Sequence, residues 1–553
     1  MSGVRVASPF VNMLNVLSML VGVGGATLVS IAMGKRQPDR ANYMFTISIV
    51  LSIAFGAIFA LIVAPLSPMI AAAASSDPAT AEYTATFLQI VSAASPVYIL
   101  ASVMAILLRS DACIKLSGIV LSVAGIANVV FDLLFIGVLG LGIAGSALAT
   151  DVGMLTAVLL SLLYFRWPKR TLKLVNPFSP PAKEGESRSS FISESAAICK
   201  NGASSGLRMF LACMALLFLN FVVGKVVGVM GIALMTVCGN IQLLAVAFFS
   251  AAGQAATPME GVLFGERDLT GIRLLFAYVM KVTIASVVVI IALVCLFASP
   301  IISLFCPGGD PVEGSELLLG LYAIGFLPLA VNYILTYYYN TIQQRKISTA
   351  LTVCENLAIY LPMIWILTTL LGLTGTVLAF VVSECLTLVA TFAVVSVTRS
   401  KKGFSDLLLL PAGSSNVVYE TSSGISNADA AGLAREMRAA LDEKGASPSV
   451  ALRSAMAIEE IVAAAAERQA DDSSIDVRLL ESADAFTLCL RDNAAPFDPT
   501  AAGNAEGVEF DNLSVLASIA QSVHYARVLG LNQTVIAIGK SADSDEERNE
   551  ERQ

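Results

Sequence analysis

The chain has 553 residues, of which 56% are apolar and only 14% charged, and its mean hydropathy is +0.77. Soluble proteins carry about 25% charged residues, so this composition excludes an ordinary water-soluble protein. The net charge of −8 comes partly from an acidic tail and gives no reason to expect a nucleic-acid partner. Apolar runs long enough to cross a bilayer recur, which predicts a polytopic helical membrane protein.

We predict eleven spans in the first 400 residues. They lie at roughly 9–33, 44–73, 86–107, 114–137, 141–165, 203–223, 227–253, 275–305, 316–341, 348–371 and 374–397. Lys and Arg gather in alternate loops, as at Arg109 and Lys115. By the positive-inside rule these loops are cytoplasmic, and so is everything after residue 400.

The apolar region repeats itself with an offset of roughly 230 residues, which is typical of transporters built from two similar halves. The GKR string at Gly34 pairs with the GER string at Gly265, and GIAG at 142–145 pairs with GLTG at 372–375. The first helix of the second half would have its counterpart upstream of Met1. We therefore expect either a start one helix late or a fold that works without that helix.

Composition also divides the chain into domains. We predict an N-lobe of five spans at 1–165, a cytoplasmic linker at 166–200, a C-lobe of six spans at 201–399, a linker at 400–415, a soluble α/β domain (an α+β sandwich) at 416–540 and a disordered acidic tail at 541–553. Apolar residues in 429–442 and 450–467 recur at helical spacing, whereas 475–480 and 486–490 alternate like strands. The nine cysteines form no CxxC pair, and no metal site is predicted.

Several strings in the first 400 residues resemble one transporter family. VGGA at 23–26 followed by MGKR at 33–36 is similar to the second helix and first loop of the multidrug and toxic compound extrusion (MATE) family. Residues 128–132 and 142–150 resemble its fifth and sixth helices. The resemblance implies two six-helix bundles around a central cavity, and export of organic cations in exchange for H⁺ or Na⁺.

The same resemblance implies a cation-coupling site at Asn128, Asp132 and Thr150. Asn128 and Asp132 lie one helical turn apart, so their side chains share a face. A carboxylate in a membrane helix is costly and usually faces a cavity or a partner. These oxygens suit Na⁺, and burial would also favour a proton on Asp132. A structural hydrogen-bond network between helices is the alternative, and the family's first helix supplies another Asp that has no counterpart here.

Four residues of the C-lobe are candidates for a substrate cavity. Tyr333 and Tyr337 belong to a tyrosine cluster that could receive a flat organic cation, or form an interfacial aromatic belt. Glu355 and Glu384 lie in the last two spans, although Glu355 follows two basic residues closely enough for an interfacial position. The second half has Asn332 but no counterpart of the Asn128 and Asp132 pair, which argues against a C-lobe cation site.

The soluble segment resembles a second family. Residues 457–462, the DNAAPFDP string at 492–499 and SVHYAR at 522–527 are similar to the ATP-binding domain of anti-sigma-factor serine kinases, in the GHKL class. That fold is a sheet with helices on one face, and the resemblance implies a vestigial nucleotide site at Glu460 and Asp492. The family's Mg²⁺-binding Asn falls in an alanine run, and its phosphate loop has no glycine. Phosphates need close N–H groups and Mg²⁺ a ligand, so we expect neither ATP nor Mg²⁺ as a cofactor.

The sequence therefore predicts a cation-coupled antiporter of a bacterial cytoplasmic membrane that exports organic cations, drugs or toxic metabolites through the lipid bilayer. Its degenerate kinase-like domain is predicted to regulate export or to bind a cytoplasmic protein partner, rather than to sense nucleotide or act as a kinase. A membrane-tethered, non-pumping regulator acting through that domain is the alternative. A lipid or glycan-precursor flippase is a third possibility, which a cavity rich in Lys and Arg would favour.

Overall fold

The computed structural model describes residues 2–35, 37–74, 78–111, 113–166, 170–179, 190–266, 268–305, 314–404, 406–410, 416–425, 427–466, 474–481, 485–495, 516, 519–528 and 531–540. The chain divides into two compact units, Met1–Leu410 and Pro411–Gln553. The first is helical throughout its described secondary structure, and the second combines helices with one sheet.

The described residues of the N-lobe form six α-helices. They are α1 (Ser2–Gly34), α2 (Pro38–Ala74), α3 (Pro78–Ala93), α4 (Ser95–Ser110), α5 (Ile114–Asp132) and α6 (Gly142–Ser161). A π-helical turn, Leu133–Val138, continues α5, and a 3-10 turn, Leu162–Arg166, ends α6. Helices α3 and α4 meet at a bend of 56°, which lies within the span predicted at roughly 86–107.

The described residues of the C-lobe form eight α-helices. They are α7 (Phe191–Val226), α8 (Val229–Gly265), α9 (Leu269–Leu296), α10 (Ala298–Phe305), α11 (Ser315–Ile324), α12 (Phe326–Thr341), α13 (Arg345–Val353) and α14 (Tyr360–Lys402), with a π-helical turn, Cys354–Ala358, between the last two. Helix α7 begins inside the predicted linker 166–200. Its start is fixed by Ser190, whose side chain accepts a hydrogen bond from the Ile192 N–H at 3.4 Å.

In the described residues, nine helices are long and apolar enough to span a membrane, or ten when α3 and α4 count as one span. One of the nine is the 58-residue stretch Arg345–Lys402, which as a single helix would be about 87 Å long. A bilayer core is only about 30 Å thick. Gly372 breaks this stretch with φ 60° and ψ −133°, a conformation that glycine adopts without a Cβ clash. The break lies at the predicted boundary between the last two spans, while the total of eleven stays a prediction.

The two lobes meet where α1 packs against α7 and α8. Glycines bring the backbones of α1 and α7 into contact, because a Cβ on Gly24 would lie 2.2 Å from the carbonyl oxygen of Ile198. A Cβ on Gly202 would lie 1.8 Å from the carbonyl oxygen of Leu20. Small residues at such contacts let membrane helices approach closely. We call the end of the bundle where α1 ends and α2 begins the basic side.

Each lobe is followed by a short segment that folds back onto the basic side. The N-strap, residues 170–179, is held by side chains that accept from its amides. The Thr171 N–H donates to Asp111 Oδ2 at 2.8 Å, and the Lys173 N–H donates to Asn42 Oδ1 at 2.7 Å. The connector between the lobes is therefore partly ordered against α2 and the end of α4.

The C-strap, residues 406–410, holds the corresponding place after α14. The hydroxyls of Tyr338 and Tyr339 donate to the carbonyl oxygens of Leu408 and Leu407, each at 3.0 Å. Leu409 and Leu410 are buried against the same end of the C-lobe. The tyrosines are thus buried hydrogen-bond donors, and an interfacial aromatic belt does not describe these two.

The second unit is a five-stranded antiparallel sheet with two helices on one face. Its elements are β1 (Asn416–Gly424), α15 (Asn427–Glu443), α16 (Pro448–Ala466), β2 (Ser474–Glu481), β3 (Ala485–Asp492), β4 (Ser522–Val528) and β5 (Leu531–Gly539). The strand order is β1-β2-β3-β5-β4. Alternate residues of β3, such as Leu488 and Leu490, share a core with Met437 of α15 and Ile458 of α16. The helices and strands predicted for 429–490 are confirmed.

Candidate functional site

The first polar site lies between α5 and α6 of the N-lobe. Asn128 Nδ2 donates to Thr150 Oγ1 at 3.3 Å, and Thr150 Oγ1 donates to the Ser146 carbonyl oxygen at 3.1 Å. Gly153 allows this approach, since a Cβ there would lie only 3.2 Å from Cβ of Asn128. Two of the three predicted site residues are therefore in direct contact.

Asp132, the third, ends α5 just before the π-helical turn. In the described residues no hydrogen bond joins it to Asn128 or Thr150, and its Oδ1 is buried without a hydrogen-bond partner. A buried acceptor left unpaired costs about 1–3 kcal/mol. A proton or a small cation would remove that cost, so Asp132 has the chemistry of a cation-binding group. Asp151 on α6 also has a buried Oδ1 without a partner.

A second polar site lies inside the C-lobe, around an arginine that the sequence analysis did not single out. Arg208 of α7 donates through Nη1 to Glu355 Oε1 at 2.7 Å and through Nη2 to Thr336 Oγ1 at 2.6 Å. Its guanidinium lies 4.0 Å from the centroid of the Tyr333 ring. Glu355 is only 5% exposed, so it is buried within the protein, and its depth in the membrane stays a prediction.

The other C-lobe acid is joined to the same stretch of α12. Asn332 Nδ2 donates to Glu384 Oε2 at 2.9 Å and to the Glu384 carbonyl oxygen at 3.2 Å. Asn332 and Thr336 are one helical turn apart on α12, and this brings Glu355 and Glu384 to neighbouring positions. The C-lobe thus has an Asn and acid pair after all. Asn332 and Glu384 belong to different helices, α12 and α14, so a one-turn spacing along the sequence does not reveal this pair.

We call these C-lobe residues the Arg208 cluster; its members are Arg208, Asn332, Tyr333, Thr336, Glu355 and Glu384. It contains two carboxylates and one guanidinium, so it carries one more acid than base. Three of its buried atoms, Arg208 Nε, Asn332 Oδ1 and Glu355 Oε2, have no hydrogen-bond partner. Two of these atoms, Asn332 Oδ1 and Glu355 Oε2, are acceptors, so the cluster has acceptor capacity left for a further donor or cation.

Both polar sites adjoin a π-helical turn. Asp132 immediately precedes the turn Leu133–Val138, and Glu355 lies within the turn Cys354–Ala358. Helices α5 and α13 occupy the same position in the two repeats, since Ile114 and Arg345 begin them at an offset of roughly 230 residues. Such turns widen an α-helix locally and are frequent at functional sites. The two turns begin at Leu133 and Cys354, so each lobe has an acid beside a π-helical turn, at a different position of the repeat in each lobe.

Tyr333 and Tyr337, the aromatic residues predicted to bind substrate, have rings that already contact other residues of the protein. One face of Tyr333 is covered by the guanidinium of Arg208. The Tyr337 ring packs on α8, where a Cβ on Gly253 would lie 2.5 Å from Cδ2 of the ring. A flat organic cation would have to displace Arg208 or share Tyr333 with it, so their role as substrate receptors stays a prediction.

One signal in the sequence marks the Arg208 cluster. Arg208 is an ionised side chain in the apolar helix Phe191–Val226. A lone charge at such a position needs a buried partner, and acids in other apolar spans are the natural choice. Glu355 and Glu384 are such acids in the sequence, and Glu355 is the one that pairs with Arg208 in the structure.

The predicted nucleotide residues lie on the second unit. Asp492 Oδ1 accepts from Asn532 Nδ2 at 2.8 Å and from the Ala494 N–H at 3.0 Å. Burial raises the pKa of Asp492, although the Asn532 hydrogen bond opposes this. Burial also raises the pKa of Glu460, with a smaller contribution from Glu459. A small cavity beside Asp492 is lined by Ile461, Ala465, Asp492, Ala494, Ala495, Asn532 and Thr534.

Among the described residues that line this cavity Asp492 is present and Glu460 is not, so a shared nucleotide site stays a prediction. The Oδ1 atom of Asp492 is engaged inside the domain rather than turned to a ligand. The rest of the DNAAPFDP string and the predicted phosphate loop at 510–513 lie outside the described residues. The likeness to the kinase-like class therefore stays a resemblance.

Curated relatives match the chain over most of their length. "Multidrug export protein MepA" of Staphylococcus aureus (strain MSSA476) is 24% identical over 418 residues, which cover 72% of this chain and 86% of the relative. The protein of the same name from Staphylococcus haemolyticus (strain JCSC1435) is 25% identical over 400 residues, covering 69% and 82%.

Solved structures share the fold of the first unit. An outward-facing multidrug resistance MATE family transporter of the MOP superfamily superposes with a TM-score of 0.67 at 20% identity, covering 72% of this chain and 88% of that one. A MOP superfamily transporter from Pyrococcus furiosus, described with a binding pocket of reverse polarity, has a TM-score of 0.65 at 20% identity and the same coverage.

The sequence model of the MatE family matches residues 1–134 and 205–366. These ranges fall in the two lobes and include Asn128, Asp132, Arg208 and Glu355. Because they make up more than half of the 553 residues, the chain belongs to the MatE family.

Proposed function

We propose that this protein is a secondary exporter that moves organic cations or drugs out of the cell in exchange for H⁺ or Na⁺. The relatives named as multidrug export proteins support this, as does a bundle whose two lobes each hold buried acids. The basic side faces the cytoplasm of a bacterium by the positive-inside rule. The C-terminal domain then lies in the cytoplasm as well.

The observation that carries the proposal is the unpaired, buried Oδ1 of Asp132 beside the Asn128 and Thr150 contact. A proton or Na⁺ bound there would neutralise a charge at the end of α5. The adjoining π-helical turn gives α5 a place to change its hydrogen-bond pattern. Coupling requires that the ion bind the two lobe arrangements with different affinity, and a change in α5 supplies such a difference.

The test is efflux of a fluorescent organic cation from cells that express Asp132→Asn, compared with wild type at equal membrane abundance. We expect the variant to lose at least about tenfold in rate, since the ionisable group itself is removed. Asp39→Asn is the matched control, because Asp39 is an exposed acid of the same lobe. Wild-type efflux by Asp132→Asn would overturn the proposal.

We propose that the C-terminal domain regulates transport by binding a cytoplasmic protein, without ATP or Mg²⁺. The hydrogen bonds from Asn532 and Ala494 to Asp492 support this, because that acid is the residue expected to bind adenine. The alanine run at the end of α16 gives Mg²⁺ no ligand. Binding of radiolabelled ATP to the purified protein at millimolar Mg²⁺ would contradict this part.

The alternative is a membrane-tethered regulator that does not pump. It is favoured by the independent hydrophobic core of the second unit. Truncation after Leu410 separates the two functions and keeps the C-strap in place. An exporter retains transport in this truncated form, whereas a regulator shows none in either form and loses its output on truncation.

A further inference from the structure

Arg109 is a cation at the boundary between the lobes whose hydrogen-bond partners in the described part of the chain are neutral. It lies in the last turn of α4 and is half-buried. Its Nε donates to Ser117 Oγ at 3.0 Å, and its Nη1 donates to Gln254 Oε1 at 2.5 Å. Among the described residues no carboxylate forms an ion pair with it, in contrast to Arg208 and Arg40, which pair with Glu355 and Glu194.

The position of this guanidinium is fixed from the N-lobe. Ser117 Oγ donates to the Ala105 carbonyl oxygen at 2.6 Å, so its lone pairs point to Arg109. Residues next to Arg109 on α4, such as Leu107 and Leu108, are buried. A half-buried charge without a counter-charge is costly, and an anion that reached it would offset much of that cost.

Gln254, the C-lobe partner of Arg109, can be replaced by another acceptor when the lobes separate. Gln254 belongs to α8, so its bond to Arg109 crosses the lobe boundary and must break when the lobes separate on the basic side. Tyr337 of α12 lies within electrostatic range of both Arg109 and Arg208. Arg208 is paired with Glu355, whereas Arg109 forms no ion pair among the described residues.

We propose that Arg109 is the recognition site for a carboxylate on the transported molecule, which replaces Gln254 when the basic side opens. This rests on the proposed export function and adds to its substrate class molecules that carry an anionic group beside their apolar body. A guanidinium suits this role because its planar N–H donors match the two oxygens of a carboxylate. Closure of the lobes returns Gln254 to Arg109 and releases the carboxylate towards the other side.

The test uses two dyes that differ by one group: rhodamine 6G, an ethyl ester and a cation, and its free acid, a zwitterion. Binding of each is measured by fluorescence anisotropy on the full chain in phosphatidylcholine nanodiscs. We expect Arg109→Gln to weaken binding of the free acid about tenfold and to leave the ester within about twofold, as a charged hydrogen bond is lost. Gln254→Glu should weaken the free acid similarly, because it supplies Arg109 with a competing carboxylate in an intact fold. Arg40→Gln is the control for loss of a positive charge and should change neither dye.

The outcomes separate failure of this inference from failure of the export function. If wild type binds neither dye, the export proposal fails together with its substrate class. If both dyes bind and Arg109→Gln affects them equally or not at all, only the carboxylate site is overturned. If phosphatidylglycerol in the nanodisc abolishes the effect of Arg109 on the free acid, the anion at Arg109 is a lipid phosphate, and the assignment to the transported molecule is wrong.

Discussion

Gly34 and Gly265, which the internal repeat pairs with each other, are in backbone contact where α1 meets α8. A Cβ on Gly265 would lie 2.9 Å from Cα of Gly34, and a Cβ on Gly34 would lie 2.1 Å from the carbonyl oxygen of Val262. The two copies of one motif therefore close the lobes against each other on the basic side. Any side chain at either position would hold the lobes apart.

We accordingly predict that Gly34→Ala weakens closure of the basic side. The added methyl cannot fit beside Val262, and overpacking of this kind costs about 1–3 kcal/mol. Helix propensity alone would favour Ala by up to about 1 kcal/mol, so a loss identifies the contact as its cause. The measurement is alkylation of a cysteine at Ser30 by a membrane-impermeant reagent from the basic side, which should become faster. Gly239→Ala on α8 is the control, because nothing lies within 4 Å of a Cβ there.

The Arg208 and Glu355 pair gives a prediction about stability. Glu355→Leu leaves the guanidinium buried without a counter-charge, which costs about 3–5 kcal/mol. Arg208→Met together with Glu355→Leu removes both charges and should regain most of that loss. Thermal unfolding of the purified protein in detergent checks both. A double variant as unstable as the single one would show that the two charges do not act as a pair.

Two variants of the Asn332 and Glu384 contact compare the effect of removing a charge with the effect of removing a hydrogen bond on the stability of the protein. Glu384→Gln keeps an oxygen that can accept from Asn332 and should unfold within about 1 kcal/mol of wild type. Asn332→Ala instead leaves a buried carboxylate oxygen without its donor, at a cost of about 1–3 kcal/mol. The same unfolding assay compares the two. Equal stability of the two variants would mean that this hydrogen bond does not support the fold.

Asp492 predicts a pH dependence in the C-terminal domain. Its pKa is raised by burial above the ordinary value of 3.8, so the folded domain keeps this proton after the unfolded chain has lost it. Stability therefore falls as pH rises through the window between the ordinary and the raised pKa, and then levels off. Asp492→Asn should remove this dependence and keep an acceptor for Asn532. Scanning calorimetry of the full chain measures it, with the domain's transition identified by truncation after Leu410.

Much of the fold follows from local patterns in the sequence. The break at Gly372 lies between two apolar runs, and the helices and strands of the C-terminal domain follow periods of 3.6 and 2 residues. The start of α7 was harder to predict, since residues 191–200 are polar enough to read as a linker. They are helical because Ser190 caps them and because Ile198 and Asn201 are buried by packing between the lobes.

The sites were predicted where their residues share one helix or neighbouring helices, as Asn128 and Thr150 do. The Arg208 cluster joins residues of α7, α12, the second π-helical turn and α14, and its longest pairing spans 147 positions of the chain. Which acid meets Arg208 depends on how helices pack, and no spacing rule contains that information. Sequence alone could show that Arg208 needed a partner, and not that the partner was Glu355.

The hydrogen bonds of the N-strap make its backbone amides a measure of N-lobe structure. Its amides at Thr171, Lys173 and Val175 donate to side chains of the N-lobe, whereas the intervening residues make no such bond among the hydrogen bonds of the described chain. Hydrogen–deuterium exchange should therefore be slow at every second amide of a segment that lies outside the membrane helices. Since Asn42, Thr46 and Asp111 belong to α2 and the end of α4, movement of those helices during transport would speed exchange at all three amides together. Exchange at these three amides therefore reports motion of the N-lobe without an attached probe.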